Sequence, residues 1–256
     1  MVLDAYLYTN RGGRGENEDC ADYRIEDGCG LFAVADGLGG HRGGAEASAL
    51  CVRTLMAAPV CPAPPEAGPG EAGPGEASAE SDPAADLGEA LLRANEALLA
   101  ARGGKSTAVV LRLADGAAAW AHVGDSRLYC VTGGRLVHAT QDHSVTFKKF
   151  LAGEIRRREM NFDEDRSSLL RVLGDKDRCI PETGSVPGSF GEGVSPGDAF
   201  LLCTDGFWEY LYDEEILADC LKADTARDWA ELMLLRLLPR MGAGSDNLTL
   251  LAVFTG

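Results

Sequence analysis

One local pattern recurs along this chain and restricts its fold more than any other feature: a short apolar run meeting an aspartate that has glycine or asparagine beside it. Residues 31–35 (Leu-Phe-Ala-Val-Ala) run into Asp36-Gly37-Leu38-Gly39-Gly40, and residues 200–204 (Phe-Leu-Leu-Cys-Thr) run into Asp205-Gly206. In Ser245-Asp246-Asn247 the acid instead opens the apolar run 248–254. Short, continuous apolar runs read as buried strands, so each aspartate falls where such a strand meets a loop. Glycine there lets the backbone turn sharply and brings its carbonyls close to a ligand. Any one of these acids has an ordinary reading as a turn residue. Three brought together would be too negative to fold without cations. Ligands made only of oxygen point to Mg²⁺ or Mn²⁺ rather than Zn²⁺.

Composition sets outer limits. With 24 basic and 40 acidic residues the net charge is −16, which argues against a sequence-independent grip on nucleic acid or on anionic lipid. No run approaches the roughly 18 apolar residues of a membrane span, and no basic-then-apolar leader opens the sequence. A cytoplasmic location is expected. The eight cysteines show no CxxC spacing and several lie in apolar runs, which fits small buried hydrophobes in a reducing compartment.

In chain order, residues 3–9 alternate as a strand and enter the glycine-rich turn Asn10-Arg11-Gly12-Gly13-Arg14-Gly15, followed by Asn17-Glu18-Asp19 and a strand near residues 23–25. Arg14 there reads either as part of a solvated turn or as a phosphate clamp, since its guanidinium fork matches phosphate oxygens. A helix is expected over residues 45–57 and another over 86–101. Residues 58–85 between them hold seven prolines and a tandem Ala-Gly-Pro-Gly-Glu, a composition that buries too little apolar surface to order itself. We expect a disordered surface insertion there and a single domain over 1–256. An antiparallel meander is expected over 106–138, with Gly124-Asp125-Ser126-Arg127 as a tight turn inside it. Gln141-Asp142-His143-Ser144 signals a helix start before residues 145–151. The stretch from Lys148 to Asp165 is densely charged and of mixed sign and reads as an exposed, mobile subdomain over the core. Helices are expected over 214–221 and 225–238.

Five short motifs now stand in order: Arg14-x-x-Asn17-Glu18-Asp19, Ala35-Asp36-Gly37-Leu38-Gly39-Gly40-His41, Gly124-Asp125-Ser126-Arg127, Thr204-Asp205-Gly206 and Ser245-Asp246-Asn247. Together they resemble the metal-dependent Ser/Thr protein phosphatases of the 2C type, in the bacterial form with Asp-Gly-x-Gly-Gly-His. The resemblance implies an α+β fold, a four-layer sandwich of two antiparallel β-sheets flanked by pairs of α-helices, with residues 145–165 as a flap. It implies hydrolysis of phosphoserine and phosphothreonine in proteins by a water or hydroxide bridging two Mn²⁺ or Mg²⁺ ions. Asp36 would bridge both metals and Gly37 would add its carbonyl. Asp205 and Asp246 would complete one site and Glu18 the other. Asp19 would steady bound waters and Asn247 would support Asp246. Asp125, with Asp205, would hold a weaker third ion, and Arg14 would bind the phosphoryl group.

Some positions depart from the family pattern. Asn10 stands where an acid is usual, and Lys105-Ser106-Thr107 replaces Gly-Thr-Thr. Leu38 stands where eukaryotic members carry a histidine, which leaves a metal-bound water as proton donor. His41 is expected to cap the following helix, and His143 to stand at a helix start. The partners implied are Ser/Thr-phosphorylated proteins, with a cognate Ser/Thr kinase as a candidate that the chain itself does not identify. Nothing marks an oligomer interface, and a monomer is expected. Two competing classes are a phosphoprotein-binding module that has lost catalysis, against which every ligand position is intact, and a sheet-based metal nuclease, against which the net charge speaks.

Overall fold

The computed structural model describes residues 1–39, 43–61, 82–186 and 193–256. Eleven strands and six helices are found there. They are β1 (Leu3–Asn10), β2 (Asp19–Glu26), β3 (Cys29–Leu38), α1 (Gly44–Leu55), α2 (Pro83–Ala101), β4 (Lys105–Ser106), β5 (Ala108–Ala114), β6 (Ala117–Val123), β7 (Arg127–Thr132) and β8 (Arg135–Ala139), followed by α3 (Val145–Leu151), β9 (Glu182–Val186), β10 (Ala199–Cys203), α4 (Asp205–Trp208), α5 (Asp213–Cys220), α6 (Ala226–Leu237) and β11 (Leu248–Thr255). One sheet runs β1-β11-β10-β7-β8; the other runs β2-β3-β5-β6-β9, with β4 added beside β3. Every pairing is antiparallel.

The alternation of side chains along each strand builds the layers. Along β3, Leu31, Ala33 and Ala35 face α1 and α2, while Phe32 and Val34 face the opposite sheet. Along β10, Leu201 and Cys203 face α6, while Phe200 and Leu202 close the inter-sheet core against Phe32 and Leu111. The result is the four-layer α+β sandwich that the resemblance implies. Among the described residues no helix is long and apolar enough to cross a membrane.

Several local expectations need correction. Asp36 does not end its strand: β3 continues through Gly37 and Leu38, which pair with Ser106 and Lys105 of β4. The meander is split, because β6 does not pair with β7 and the chain passes from one sheet to the other through the turn at residues 124–126. The cysteines are not all free. Cys29 and Cys61 form a disulfide with a Cα–Cα separation of 5.6 Å, since the chain leaving α1 folds back along the β2–β3 turn, where Cys61 Sγ also lies 3.5 Å from the Glu26 carbonyl oxygen.

Helix α2 begins earlier than residue 86. Asp82 caps it by accepting from the Ala84 amide at 3.0 Å, with Pro83 in the first turn, a position that proline suits. The far end of the proposed 58–85 insertion is therefore helical, and its interior, residues 62–81, lies outside the described residues. So do Gly40 and His41, with the expected capping role of the latter.

Candidate metal centre

The acids gather at one end of the slot between the sheets, where the apolar inter-sheet rows stop. Asp36 continues the row of Phe32 and Val34 by the two-residue period of the strand. Asp19 is its direct register partner on β2. Asp205 opens α4 immediately after β10, and Asp246 precedes β11 beside it. Asp125 arrives from the turn between the sheets and is 3% exposed.

Mutual proximity shows in their electrostatics. The Asp36 carboxyl is held well above the usual range, first by burial and then by Asp205, Asp19, Asp125 and Asp246. Asp205 is raised in the same way by burial, Asp125, Asp246, Glu209 and Asp19. Burial likewise lifts Asp19 to about 6, against hydrogen bonds that favour its ionised form, and Asp125 to about 7, with Asp142 adding to the rise and Arg127 opposing it.

Backbone and hydroxyl contacts fix these groups. The Asp36 amide donates to Thr107 Oγ1 at 3.1 Å, and its carbonyl accepts from Ser106 Oγ and the Thr107 amide, each at 2.8 Å. Ser106 and Thr107, noted in the sequence only as a departure, thus clamp Asp36 on both sides. Thr204 Oγ1 donates to Asp19 Oδ2 at 2.9 Å, whereas Asp19 Oδ1 is buried with no hydrogen-bond partner.

The first loop is tied to the same place. Asn247 Oδ1 accepts from the Glu18 amide at 2.7 Å, and its Nδ2 donates to the Arg11 and Glu16 carbonyls, each at 2.9 Å. The side chain of Asn247 therefore holds the loop bearing Glu18, while its amide donates to Asp246 Oδ1 at 2.8 Å. Asn10 Oδ1 accepts from the Gly12 amide at 2.9 Å and shapes the turn in place of an acid. The Gly37 amide donates to the Glu18 carbonyl at 3.1 Å. A Cβ on Gly44 would fall 2.5 Å from Glu18 Oε1 and 2.8 Å from the Gly37 carbonyl oxygen, so the bare backbone there leaves room for two oxygens to face the same space. Arg14 lies at the rim, half exposed, with Nη2 2.7 Å from Asp246 Oδ2, and this contact raises its pKa further.

Glu209 joins the centre without having been singled out. It stands one helical turn beyond Asp205, its own pKa is raised by burial, and it raises those of Asp205 and Asp125. The i, i+4 spacing after an acid at a helix start was its sequence signal. The donor set fits hard divalent cations: it is made of oxygens, most of them carboxylate, and one buried carboxylate oxygen lacks any other partner.

A family model described as protein phosphatase 2C matches residues 12–236. The chain belongs to the protein phosphatase 2C family. It is similar to the serine/threonine phosphatase stp of Listeria monocytogenes, with 28% identity over 253 residues that cover 98% of this chain and 95% of that one. Among solved structures it is similar to the serine/threonine phosphatase PstP/Ppp of Mycobacterium tuberculosis (27% identity, TM-score 0.74, covering 100% of this chain and 99% of the other). It is also similar to the catalytic domain of the serine/threonine protein phosphatase PstP in complex with two manganese ions (25% identity, TM-score 0.75, covering 98% and 97%).

Proposed function

We propose that this chain removes phosphate from phosphoserine and phosphothreonine in proteins with the help of two Mn²⁺ or Mg²⁺ ions. The observation that carries the reading is the group of buried acids around Asp36, with the unpartnered Asp19 Oδ1 inside it and an accessible guanidinium at its rim. The manganese bound by the similar PstP domain supports the choice of ion. When bound, such ions acidify a water for in-line attack and neutralise charge on the phosphoryl group.

Asp36 would be shared between the two ions. Asp205 and Asp246 would hold one of them, and Glu18 with the Gly37 carbonyl the other. Asp19 would order bound waters, and Asp125 with Asp205 would hold a weaker third ion. Asn247 would keep Asp246 and the Glu18 loop in register. Arg14, always protonated, would exchange its contact with Asp246 for the phosphoryl oxygens and so orient the ester. Residues 145–165 would act as a flap. Their contacts, Asn161 Nδ2 donating to the Glu209 carbonyl at 2.9 Å and Arg157 to Asp213 at 3.2 Å, support a link between that segment and the acids.

The test is hydrolysis of p-nitrophenyl phosphate and of a phosphothreonine peptide in EDTA, Mg²⁺ and Mn²⁺ in turn. Turnover is expected only with metal, and is expected to vanish in Asp36→Asn and in Asp205→Asn while both stay folded. Metal-dependent activity retained in both variants would sink the proposal. Phosphopeptide affinity without turnover would identify a binding module.

A further inference from the structure

Three of the four histidines gather outside the acid cluster. The ring of His122, at the end of the inter-sheet row of β6, stacks on that of His143, with centroids 4.4 Å apart and planes 11° apart. His138 lies beyond Trp120, and Glu182 is the register partner of His122. Ligand atoms of His122, His143 and Glu182 fall within 4.8 Å of one another, yet the arrangement does not suit a metal. Stacked rings send their in-plane lone pairs side by side instead of to one point. In addition, Nδ1 of His143 is already engaged, accepting from the Gly124 amide at 3.1 Å.

That last contact belongs to a larger clamp. The His143 amide donates to the Gly124 carbonyl at 2.9 Å. Asp142 takes the Arg127 guanidinium in a bidentate pair, both contacts 2.7 Å. Thr140 exchanges two hydrogen bonds with the Leu128 backbone, each 3.0 Å. From the other side Trp208 Nε1 donates to the Asp125 carbonyl at 2.9 Å, and Thr107 and Ser126 hydroxyls meet at 2.7 Å. Gly124 has φ +104°, and a Cβ there would strike Thr107, so this turn has one conformation to hold. Every residue from Gly124 to Leu128 is tied down, and the only side chain in the turn left pointing into the acid cluster is that of Asp125.

We propose that His143 is a positioning residue, whose neutral ring fixes the Gly124 turn so that Asp125 presents its carboxylate to the acid cluster. This rests on the reading of Asp125 as a ligand of the third ion. Histidine suits the task for three reasons. With Nδ1 accepting, a neutral ring keeps its proton on Nε2, which faces the Glu182 carboxylate at 3.3 Å; Arg171 Nη1, also a donor, lies 3.0 Å from the same nitrogen and finds its acceptor in the Ile180 carbonyl at 3.3 Å. His122 sets the plane of the ring by stacking. Burial, then His122 and Arg171, push the His143 pKa down to about 3, so Nδ1 remains an acceptor at any pH near neutrality.

Two variants separate this role from general packing. In His143→Leu no acceptor remains for the Gly124 amide. In His143→Asn the amide oxygen, bonded to Cγ as Nδ1 is, accepts from Gly124 but reaches neither Glu182 nor Arg171. Amide exchange of residues 124–128 in metal-free protein is expected to quicken about tenfold in His143→Leu and to return close to wild type in His143→Asn. The midpoint of Mn²⁺ activation is expected to rise about tenfold or more in His143→Leu, as when an outer-sphere partner of a metal ligand is lost, with His143→Asn again close to wild type. Wild-type exchange and midpoint in His143→Leu overturn the proposal, as does His143→Asn behaving like His143→Leu. An Asp125→Asn variant with an unchanged Mn²⁺ midpoint refutes the ligand reading instead, and amide exchange then judges the clamp by itself.

Discussion

Removing one charge from the acid cluster should make the metal-free protein more stable, and the size and pH dependence of the gain follow from Asp125. Its carboxyl is buried and raised from 3.8 to about 7, by burial first and Asp142 second. Below pH 4 the group is neutral in both folded and unfolded chains and has no effect. Between about pH 4 and 7 the unfolded chain releases the proton that the folded chain retains, so folded stability falls as pH rises. Above 7 the loss is complete. At about 1.4 kcal/mol per pKa unit, a rise of about three units makes the ionised group cost the metal-free fold about 4 kcal/mol at pH 8. For a chain of this length that corresponds to a Tm shift on the order of 10 °C. Asp125→Asn removes the charge and keeps the shape. Differential scanning calorimetry in EDTA from pH 4 to 8.5 should show the variant gaining over wild type as pH rises, with little difference at the acid end. Saturating Mn²⁺ should reverse the order, because the ionised wild type then has a cation to meet. Equal Tm values at pH 8 without metal, or a gain that does not vary with pH, would refute the reasoning.

Other perturbations have similarly definite outcomes. Arg127 and Asp142 are 3% and 1% exposed, so Asp142→Ala should cost about 3–5 kcal/mol by leaving a buried charge alone, whereas the paired change Arg127→Met with Asp142→Leu should recover most of the loss in urea unfolding. Neither nitrogen of the buried His122 has a hydrogen-bond partner, so His122→Phe should leave Tm unchanged or raise it by the equivalent of about 1–2 kcal/mol; a large fall in Tm would show that the ring has a partner. A Cβ on Gly37 would strike the Gly44 and Glu18 carbonyl oxygens, so Gly37→Ala should lose both Mn²⁺-dependent activity and stability, while Gly15→Ala, with nothing near its Cβ, serves as the neutral control.

Much of the centre could be read from the sequence because Asp36, Asp205 and Asp246 lie in or beside strands whose burial is written in continuous apolar residues. Phe32, Val34 and Asp36 share one face by simple alternation, and the continuous apolar run from Phe200 to Cys203 leads to Asp205 at the start of α4. What escaped depends on contacts distant in sequence. The extension of β3 past Asp36 comes from pairing with the two-residue β4, too short to leave a pattern. Strand β2 begins at Asp19 instead of near Tyr23, since pairing with β3 outweighs the poor strand preference of two aspartates. The break between β6 and β7 reflects a turn that changes sheets, and local turn chemistry does not distinguish this from a hairpin. The Cys29–Cys61 disulfide and the stacking of His122 on His143 likewise bring together residues with no shared local signal.

The central proposal is that Asp36 would be shared by two cations, and anomalous diffraction at the manganese edge from crystals soaked in Mn²⁺ tests it most directly. The account predicts two strong peaks on either side of the Asp36 carboxylate, one reached by Asp205 and Asp246 and the other by Glu18 and the Gly37 carbonyl, with a weaker third near Asp125. Manganese bound elsewhere, or no peak beside Asp36 at saturating Mn²⁺, would contradict it.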